Sequence, residues 1–590
     1  MLLRFLKWRY KNISNKQFIY LSSAVIGLLS GLAAVTIKNL THFIQNLLEV
    51  ELIREIHTVF YFIFPIIGFY LVLLCIKYIV RKPVGHGIPS TLYAISKLKG
   101  LIPRRNMWAS LLTAPLTVGF GGSVGLEGPT VATGSAIGSN FSRLFHLNQT
   151  TRTLLIGAAA AGTMSSIFKA PIAAIVFAVE IFSLELTLAS MVPLLLASIT
   201  AVLTSYFFFG DEVLLHFKVQ DKFQLSDVVF YMLLGFASAV ISIYFSKVYF
   251  EIARFFKRFS NPYHRLLIGG ILIGTIVYFI PPLFGEGFVT INNVLRGNVE
   301  AVVKNNIFHW TDQNIWIVIS LLVGLVLFKV VAMSITFGAG GVGGVFAPTL
   351  FTGSVLGYLV ALLINYSDLF SHKLSLTNFA MVGMAGLMAG NLHAPLTAIF
   401  LIAEITGGYE LFVPLMIVSS ISFLITKKYI PHNFYASELA KRGQLITHDK
   451  DQNVLMMLEI DKIIETNFIV LKPEMKLGEV LKNAVTKSSR NHFPVVNDEE
   501  EFLGVVKLDD IRHIMFDQKL YDKVTVSEIM HADEDIIYYE TDNAQVIIDK
   551  FKTSGAWNLP VVKKGKYLGY ISKSRLLSAY RRKLIHVTNA

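Results

Sequence analysis

The sequence predicts a polytopic all-α membrane domain of two repeats with broken helices, followed by a smaller soluble α/β tail. Three observations carry that prediction. Of 590 residues, 53% are apolar and only 16% are charged, where a soluble globular protein sits nearer a quarter charged. Uncharged stretches long enough to cross a bilayer core of roughly 30 Å recur up to Tyr429, after which charges become dense. Each of the two parts also repeats itself internally. Together these features exclude a soluble enzyme, a disordered chain and a collagen-like or disulfide-stapled fold. The single cysteine, Cys75, lies in an apolar run, which leaves no disulfide framework and no thiolate metal cluster. A net charge of +13 is accounted for by membrane-flanking basic residues without a nucleic-acid partner.

Residues 1–17 form an N-terminal segment carrying Arg4, Lys7, Arg9, Lys11 and Lys16 and no acid, which places it in the cytoplasm by the positive-inside rule. A cleaved signal peptide is disfavoured, because no small-residue cleavage site follows and the next apolar run is span-length. The membrane domain covers 18–440. Its clear spans are 18–37, 58–76, 186–210, 228–246, 266–285 and 411–426, with shorter pieces cut by Gly and Pro at 109–124 and 348–364. Short broken segments in a bilayer must bury their irregular backbone or line a polar cavity, and they point to an ion or substrate site. The tail, 441–590, has no window able to span. Strand-like runs at 493–496, 502–506, 559–562 and 567–571 alternate there with amphipathic stretches, the pattern of a soluble α/β module.

The membrane repeats run over about 18–210 and 225–430. Gly125-Leu-Glu-Gly-Pro-Thr-Val-Ala-Thr-Gly-Ser-Ala-Ile-Gly138 matches Gly344-Val-Phe-Ala-Pro-Thr-Leu-Phe-Thr-Gly-Ser-Val-Leu-Gly357, with half of the fourteen positions identical. A second match follows in the same order, from Ala161-Gly162 through Lys169-Ala-Pro171 to Glu180-Ile181, against Ala385-Gly386 through His393-Ala-Pro395 to Glu404-Ile405. Two collinear matches with Pro in register argue against chance likeness among Gly/Ala-rich spans. Duplicated halves with broken helices are the architecture of secondary transporters and related channels. In the tail, His492-Phe-Pro-Val-Val496 with Phe502-Leu-Gly-Val-Val506 matches Asn558-Leu-Pro-Val-Val562 with Tyr567-Leu-Gly-Tyr-Ile571, predicting a pseudo-symmetric pair over about 455–520 and 525–585.

Around Gly125 and Gly344 a glycine-rich turn leads into an apolar helix with Pro129 or Pro348 in its first turn, and Gly85-His-Gly-Ile-Pro89 repeats the recipe. Pro is tolerated there because its missing N–H would be unpaired anyway. Bare glycine backbone lets N–H groups approach a ligand, and with the positive helix end they form an anion site lacking a full positive charge. Close helix packing through glycine explains one such segment but three poorly. Glu127 sits at one of these starts, and an intramembrane acid is a functional candidate by default. Ionised, it occupies the anion site; protonated, it loses that attraction and admits an ion. Glu180 and Glu404, at matching repeat positions near helix C-terminal ends, are expected to be structural acceptors.

These residues resemble the CLC family of chloride channels and chloride/proton exchangers. Gly85-His-Gly-Ile-Pro89, Gly125-Leu-Glu-Gly-Pro129 and Gly344-Val-Phe-Ala-Pro348 are similar to its three signatures, Tyr435 to its pore tyrosine, and the tail to a cytoplasmic CBS-domain pair. The resemblance implies two inverted repeats, a homodimer with one pathway per subunit, and Glu127 as gating glutamate. It implies anion contacts from His86, Gly87, Gly128, backbone amides around Val345, Phe346 and Ala347, and the Tyr435 hydroxyl. Chloride is the expected anion, with protons as the candidate coupled ion.

Three departures bear on the mechanism. His86 stands where chloride-selective members usually carry Ser and nitrate-selective ones Pro; its imidazole either donates to the anion or points away. Ile181 occupies the position of the internal proton-transfer glutamate of many exchangers, and isoleucine relays no proton. Leu126 replaces a usual basic residue, removing a charge from the outer mouth. Lys169 either adds positive potential nearer the inside or snorkels to the interface, the latter preferred. In the tail, Asp510 and Ser572 are the candidate contacts for an adenine nucleotide, the one candidate cofactor. Neither half holds a complete Ser/Thr–Asp pair, so a purely structural or gating module stands beside that reading.

The function expected is small-anion transport, channel-like or weakly proton-coupled, with a chloride/proton antiporter as alternative. A membrane-embedded hydrolase lacks a His-Glu-x-x-His helix or an evident Ser–His pair. A CBS-regulated cation transporter would want carboxylates or carbonyls where positive helix ends stand. No enzymatic activity and no metal are expected, and the compact architecture suggests a prokaryotic plasma membrane.

Overall fold

The computed structural model describes residues 2–48, 57–85, 87–184, 187–210, 215, 221–299, 302, 314–367, 373–440, 458, 460–532 and 535–588. The chain divides into two compact units, 1–445 and 446–590.

The first unit is all helical. An amphipathic α1 (Leu2–Asn12) precedes the long α2 (Asn15–Leu48) and α3 (His57–Leu74), which ends in a π turn at Cys75–Val80. Short helices α4 (Ile88–Lys97) and α5 (Ala109–Gly119) lead to α6 (Glu127–Leu144), α7 (Gln149–Phe168), α8 (Pro171–Phe182) and α9 (Leu188–Phe209). The second half opens with α10 (Val228–Phe256), α11 (Pro262–Phe279) and α12 (Phe288–Leu295). It continues through α13 (Ile315–Gly338), α14 (Phe346–Tyr366), α15 (Leu376–Leu392), α16 (Pro395–Ile405), α17 (Phe412–Tyr429) and α18 (Phe434–Ala440). Among the described residues, eight helical spans are long and apolar enough to cross a membrane.

Two expectations about these segments need correction. The sequence reading passed over α13, although it is the most apolar of the eight spans; its single internal charge, Lys329, interrupts the run. The piece expected to be short at 348–364 is instead the full-length α14. Its Thr349, Thr352 and Ser354 are fully buried against protein, so a polar-looking stretch can cross inside the bundle.

Packing repeats with the sequence. Helix α7 lies against α6, α9 and α2, and its counterpart α15 lies against α14, α17 and α10. Close approach in the second half rests on glycine: a Cβ at Gly357 would run into the Phe379 carbonyl oxygen of α15, a contact that small residues permit and larger ones forbid.

Reciprocal hydrogen bonds tie the halves together. The Thr336 hydroxyl accepts from Ser123 N at 3.1 Å, and the equivalent Thr117 hydroxyl accepts from Val342 N at 3.0 Å. Glu180, ending α8, accepts from the first N–H groups of α16, Leu396 at 3.1 Å and Thr397 at 2.8 Å, and from the Thr397 hydroxyl. Glu404, ending α16, returns the arrangement to Ile172 at 3.0 Å and Ala173 at 2.7 Å in α8. The two helices thus pack C-terminus to N-terminus, so the halves are inverted. Each acid satisfies orphan donors and the positive pole of a partner helix, which is the structural role expected for both.

The second unit contains two small sheets. Strands β1 (His492–Val496) and β2 (Phe502–Lys507) pair antiparallel, with α19 (Leu477–Val480), α20 (Leu508–Ile511) and α21 (Val526–Ile529) beside them in the chain. In the second, β3 (Ile537–Tyr538) pairs parallel with β4 (Asn558–Lys563), which pairs antiparallel with β5 (Lys566–Ser572). Helix α22 (Ala544–Ser554) precedes β4, and α23 (Lys573–Thr588) closes the chain. A register shift falls at Val495/Val496 in one hairpin and at Val561/Val562 in the other, the same irregularity at the same place in both copies. Each half has its own apolar core, one around Val480, Phe493 and Val506, the other around Ile547, Leu559 and Ile571.

Candidate anion pathway

The site lies where the two broken helices meet. Both approach turns need a positive φ, +97° at Gly121 and +99° at Gly340, a region glycine enters without cost. The two segments then pair backbone to backbone: Gly125 N donates to Gly344 O at 2.8 Å, and Gly344 N donates to Gly125 O at 2.7 Å. These are equivalent repeat positions, so the local two-fold passes between them. A Cβ at Gly344 would lie 2.7 Å from Gly128 N, and one at Gly87 2.9 Å from Gly128 C. The three glycine-rich helix starts therefore converge, as their sequences predict.

Beneath the junction is a cavity of about 20 Å³ lined by Pro89, Gly128, Gly344, Val345, Tyr435 and Glu438, among others, room for one water-sized particle. Above it is a wide cavity of about 560 Å³, whose walls include Lys38, Leu126, Glu127, Ser166, Phe209 and Glu286. Glu127 lines the wide cavity, and the next residue, Gly128, lines the small one. Glu127 is 1% exposed, with its carboxylate facing the backbone N–H groups of Glu127 itself and Ala347. Oε2 fills the space a Cβ on Gly125 would need, next to Ala347 N. The carboxylate thus folds back over the N-termini of α6 and α14, within electrostatic reach of Tyr435.

The remaining expected residues fall into place unevenly. Val345 and Tyr435 line the small cavity and are buried, as are Phe346 and Ala347. The Phe346 ring packs on Phe168 and Phe177, leaving only its backbone toward the site. His86 lies outside the described residues. Ile181 is 3% exposed in the apolar core. Leu126 faces the wide cavity, and its N–H is taken by Glu286 Oε1 at 3.0 Å. Lys169 requires a correction. Its Nζ donates to Gly210 O at 2.6 Å and lies over the Tyr206 ring, just beyond the last turn of α7, whose Ser166 and Ile167 line the wide cavity. It therefore sits on the side of the wide cavity, at the end of α2 far from the basic N-terminus, and adds no potential nearer the inside. In the second unit, Asp510 Oδ2 caps α20 through Lys507 N at 2.9 Å. The Ser572 hydroxyl donates to Glu465 at 2.6 Å.

Three charged residues lining these cavities, Lys38, Glu286 and Glu438, escaped the sequence reading, as did Lys329 buried behind the wide one beside Gly287. Lys329 is fully buried, donates to Gly285 O at 2.9 Å and lies 4.8 Å from the Phe351 ring centroid. Its signal was available, since it is the one charge inside α13, and a lone charge within a span marks function or a buried partner. The positive charge lost at Leu126 is thus supplied from two other helices.

Comparison with known proteins agrees with this geometry. The voltage-gated chloride channel family profile matches residues 67–427, and CBS-domain profiles match 460–517 and 526–582. The chain is 28% identical over 417 residues to an H+/Cl− exchange transporter of Vibrio campbellii, covering 67% of this chain and 84% of that protein. Its fold is similar to that of a slow cyanobacterial Cl−/H+ antiporter (TM-score 0.61, 22% identity, 73% of this chain and 99% of the other). It is similar also to a eukaryotic CLC transporter (TM-score 0.60, 16% identity, 94% and 97%). With the profile spanning more than half its length, the chain belongs to the CLC family, as a multi-pass membrane protein that transports small anions and carries a pair of CBS domains.

Proposed function

We propose that this protein exchanges chloride for protons, with Glu127 as the gate both ions use. The observation that supports this most is the placement of Glu127, buried at the wide cavity's wall with its carboxylate against Ala347 N, while its chain neighbour Gly128 lines the small cavity. An ionised carboxylate in such a place is costly, and the positive ends of α6 and α14 offset that cost. Chloride wants the same donors. When Glu127 takes a proton it gives them up, chloride enters, and the proton is free to leave on the side from which chloride came. The exchange activity named for the Vibrio relative is in keeping with this. The anion contacts are Gly87, Gly128, the amides of Val345, Phe346 and Ala347, and the Tyr435 hydroxyl.

A second reading, channel-like conduction, is favoured by one observation: apolar Ile181 is buried in the apolar core at the position where many exchangers carry an acid. The protein works as a homodimer with one pathway per subunit, as membership of the CLC family suggests. It sits in a prokaryotic plasma membrane with the basic N-terminus and the CBS pair in the cytoplasm. Purified protein in liposomes with a chloride gradient and no pH gradient decides between the readings. Uphill proton movement that Glu127→Ala abolishes supports exchange. Chloride flux with no proton movement in the unmodified protein supports the channel and refutes the exchanger.

A further inference from the structure

The duplication supplies two equivalent sets of backbone donors, and the structure treats them differently. In the second half, Val345 borders the small cavity. In the first half, the matching Leu126 N–H is already held by the Glu286 carboxylate at 3.0 Å. Glu286 lines the floor of the wide cavity beside Glu127. Two cations attend it, Lys38 and the fully buried Lys329, the latter pinned to Gly285 O in the adjoining residue. A carboxylate here therefore stands where an arriving anion would otherwise take the outermost N–H of α6.

We propose that Glu286 is a second tethered anion of this transporter, occupying the outer end of the pathway ahead of Glu127 and setting how tightly chloride is held there. Its argument rests on the reading of Glu127 and the helix starts as an anion pathway, and extends it to a residue that does not itself block the inner cavity. Two consequences follow from the geometry. With Glu286 in place, an incoming chloride meets Lys38 and Lys329 already compensated, so the outer end binds weakly and releases quickly. With the charge removed, Lys38, which lines the cavity, faces the anion unopposed, and the buried Lys329 adds its potential from behind the wall. Glutamine tests this cleanly, because its amide oxygen still accepts from Leu126 N and the start of α6 keeps its partner.

The experiment is chloride binding by isothermal titration calorimetry on the purified full-length protein, with chloride efflux from liposomes alongside. Glu286→Gln is expected to bind chloride about tenfold more tightly, as removal of one nearby like charge predicts at the effective dielectric of a protein interior, and to turn over more slowly. Lys38→Met, at the rim of the cavity, is expected to shift affinity the other way by about threefold, and it decides the matter if the glutamine variant does not fold. Unchanged or weaker binding in Glu286→Gln, or an unchanged Lys38→Met where the first variant is not recovered, overturns the proposal and leaves Glu286 a structural cap. If unmodified protein binds no chloride and Glu127→Ala leaves flux as it was, the underlying pathway reading has failed instead.

Discussion

Replacing Glu180 by alanine removes three hydrogen bonds that join the two halves, to Leu396 N, Thr397 N and the Thr397 hydroxyl, whereas Glu404→Ala removes two. A hydrogen bond to a charged group is worth roughly 1.5–3 kcal/mol. At the low end, the first loss amounts to about 4–5 kcal/mol and the second to about 3 kcal/mol. Spread over a unit of 445 residues, each kcal/mol corresponds to about 1 °C of melting temperature. Glu180→Ala should therefore melt about 4–5 °C lower, Glu404→Ala about 3 °C lower, and Glu180→Gln about midway, since the amide keeps one acceptor. The assay is thermal unfolding in detergent, read beside proton and chloride flux per folded protein, which should stay within about twofold of the parent if the acids only cap helices. Unchanged melting together with lost proton transport in Glu180→Ala would refute the reasoning and make this acid, rather than any residue at position 181, a proton carrier.

Other perturbations follow from the same structure. Gly344→Ala places a methyl 2.7 Å from Gly128 N, against backbone that cannot yield without moving the start of α6. It should cost about 1–3 kcal/mol and cut chloride efflux from liposomes more than tenfold. In the second unit, Glu465 is 7% exposed between Arg490 at 2.5 Å and the Ser572 hydroxyl at 2.6 Å. Because Arg490 is a third exposed and regains water, Glu465→Ala should destabilise that unit by about 2–3 kcal/mol, seen as an earlier transition in differential scanning calorimetry of the full chain. Burial holds the Tyr567 phenol above its ordinary range, and its hydroxyl has no partner among the described residues. Below about pH 10 the ring is neutral folded or unfolded and contributes no slope. Above that the unfolded chain ionises first, so stability falls as pH rises, by up to about 1.4 kcal/mol per pH unit. Tyr567→Phe should be neutral or slightly stabilising at pH 8 and should melt higher than the parent at pH 10.5; equal melting at both values would refute this.

Much of this was legible in the sequence because the duplication shows each feature twice. The glycine–proline helix starts and the capping roles of Glu180 and Glu404 follow from residue type and repeat position alone, whereas Tyr435 was placed beside them by the family resemblance. What stayed hidden arises from packing between distant segments. Nothing near Leu126 announces that its N–H will meet a carboxylate 160 residues later in the chain. Lys329 was lost with its helix, since one charge in an apolar run reads as an interruption until the buried carbonyl and the neighbouring acid that accommodate it are seen. Lys169 kept two readings for a related reason: which end of the bundle a loop residue reaches depends on helix direction, and direction follows from how α8 and α16 cross.

The reciprocal backbone pair at Gly125 and Gly344 has a consequence for direction. Turned over, the backbone there superposes on itself in outline, with the same turns, the same pair of hydrogen bonds and the same helix poles. Such a frame has no front or back of its own. Position 127 carries an acid and its mirror position, 346, a phenyl ring packed into the core. An ancestor assembled from two like halves would have been indifferent to which face of the membrane it met. Whatever direction the present protein has comes from divergence between the twins, of which an acid at 127 against a phenyl ring at 346 is the plainest.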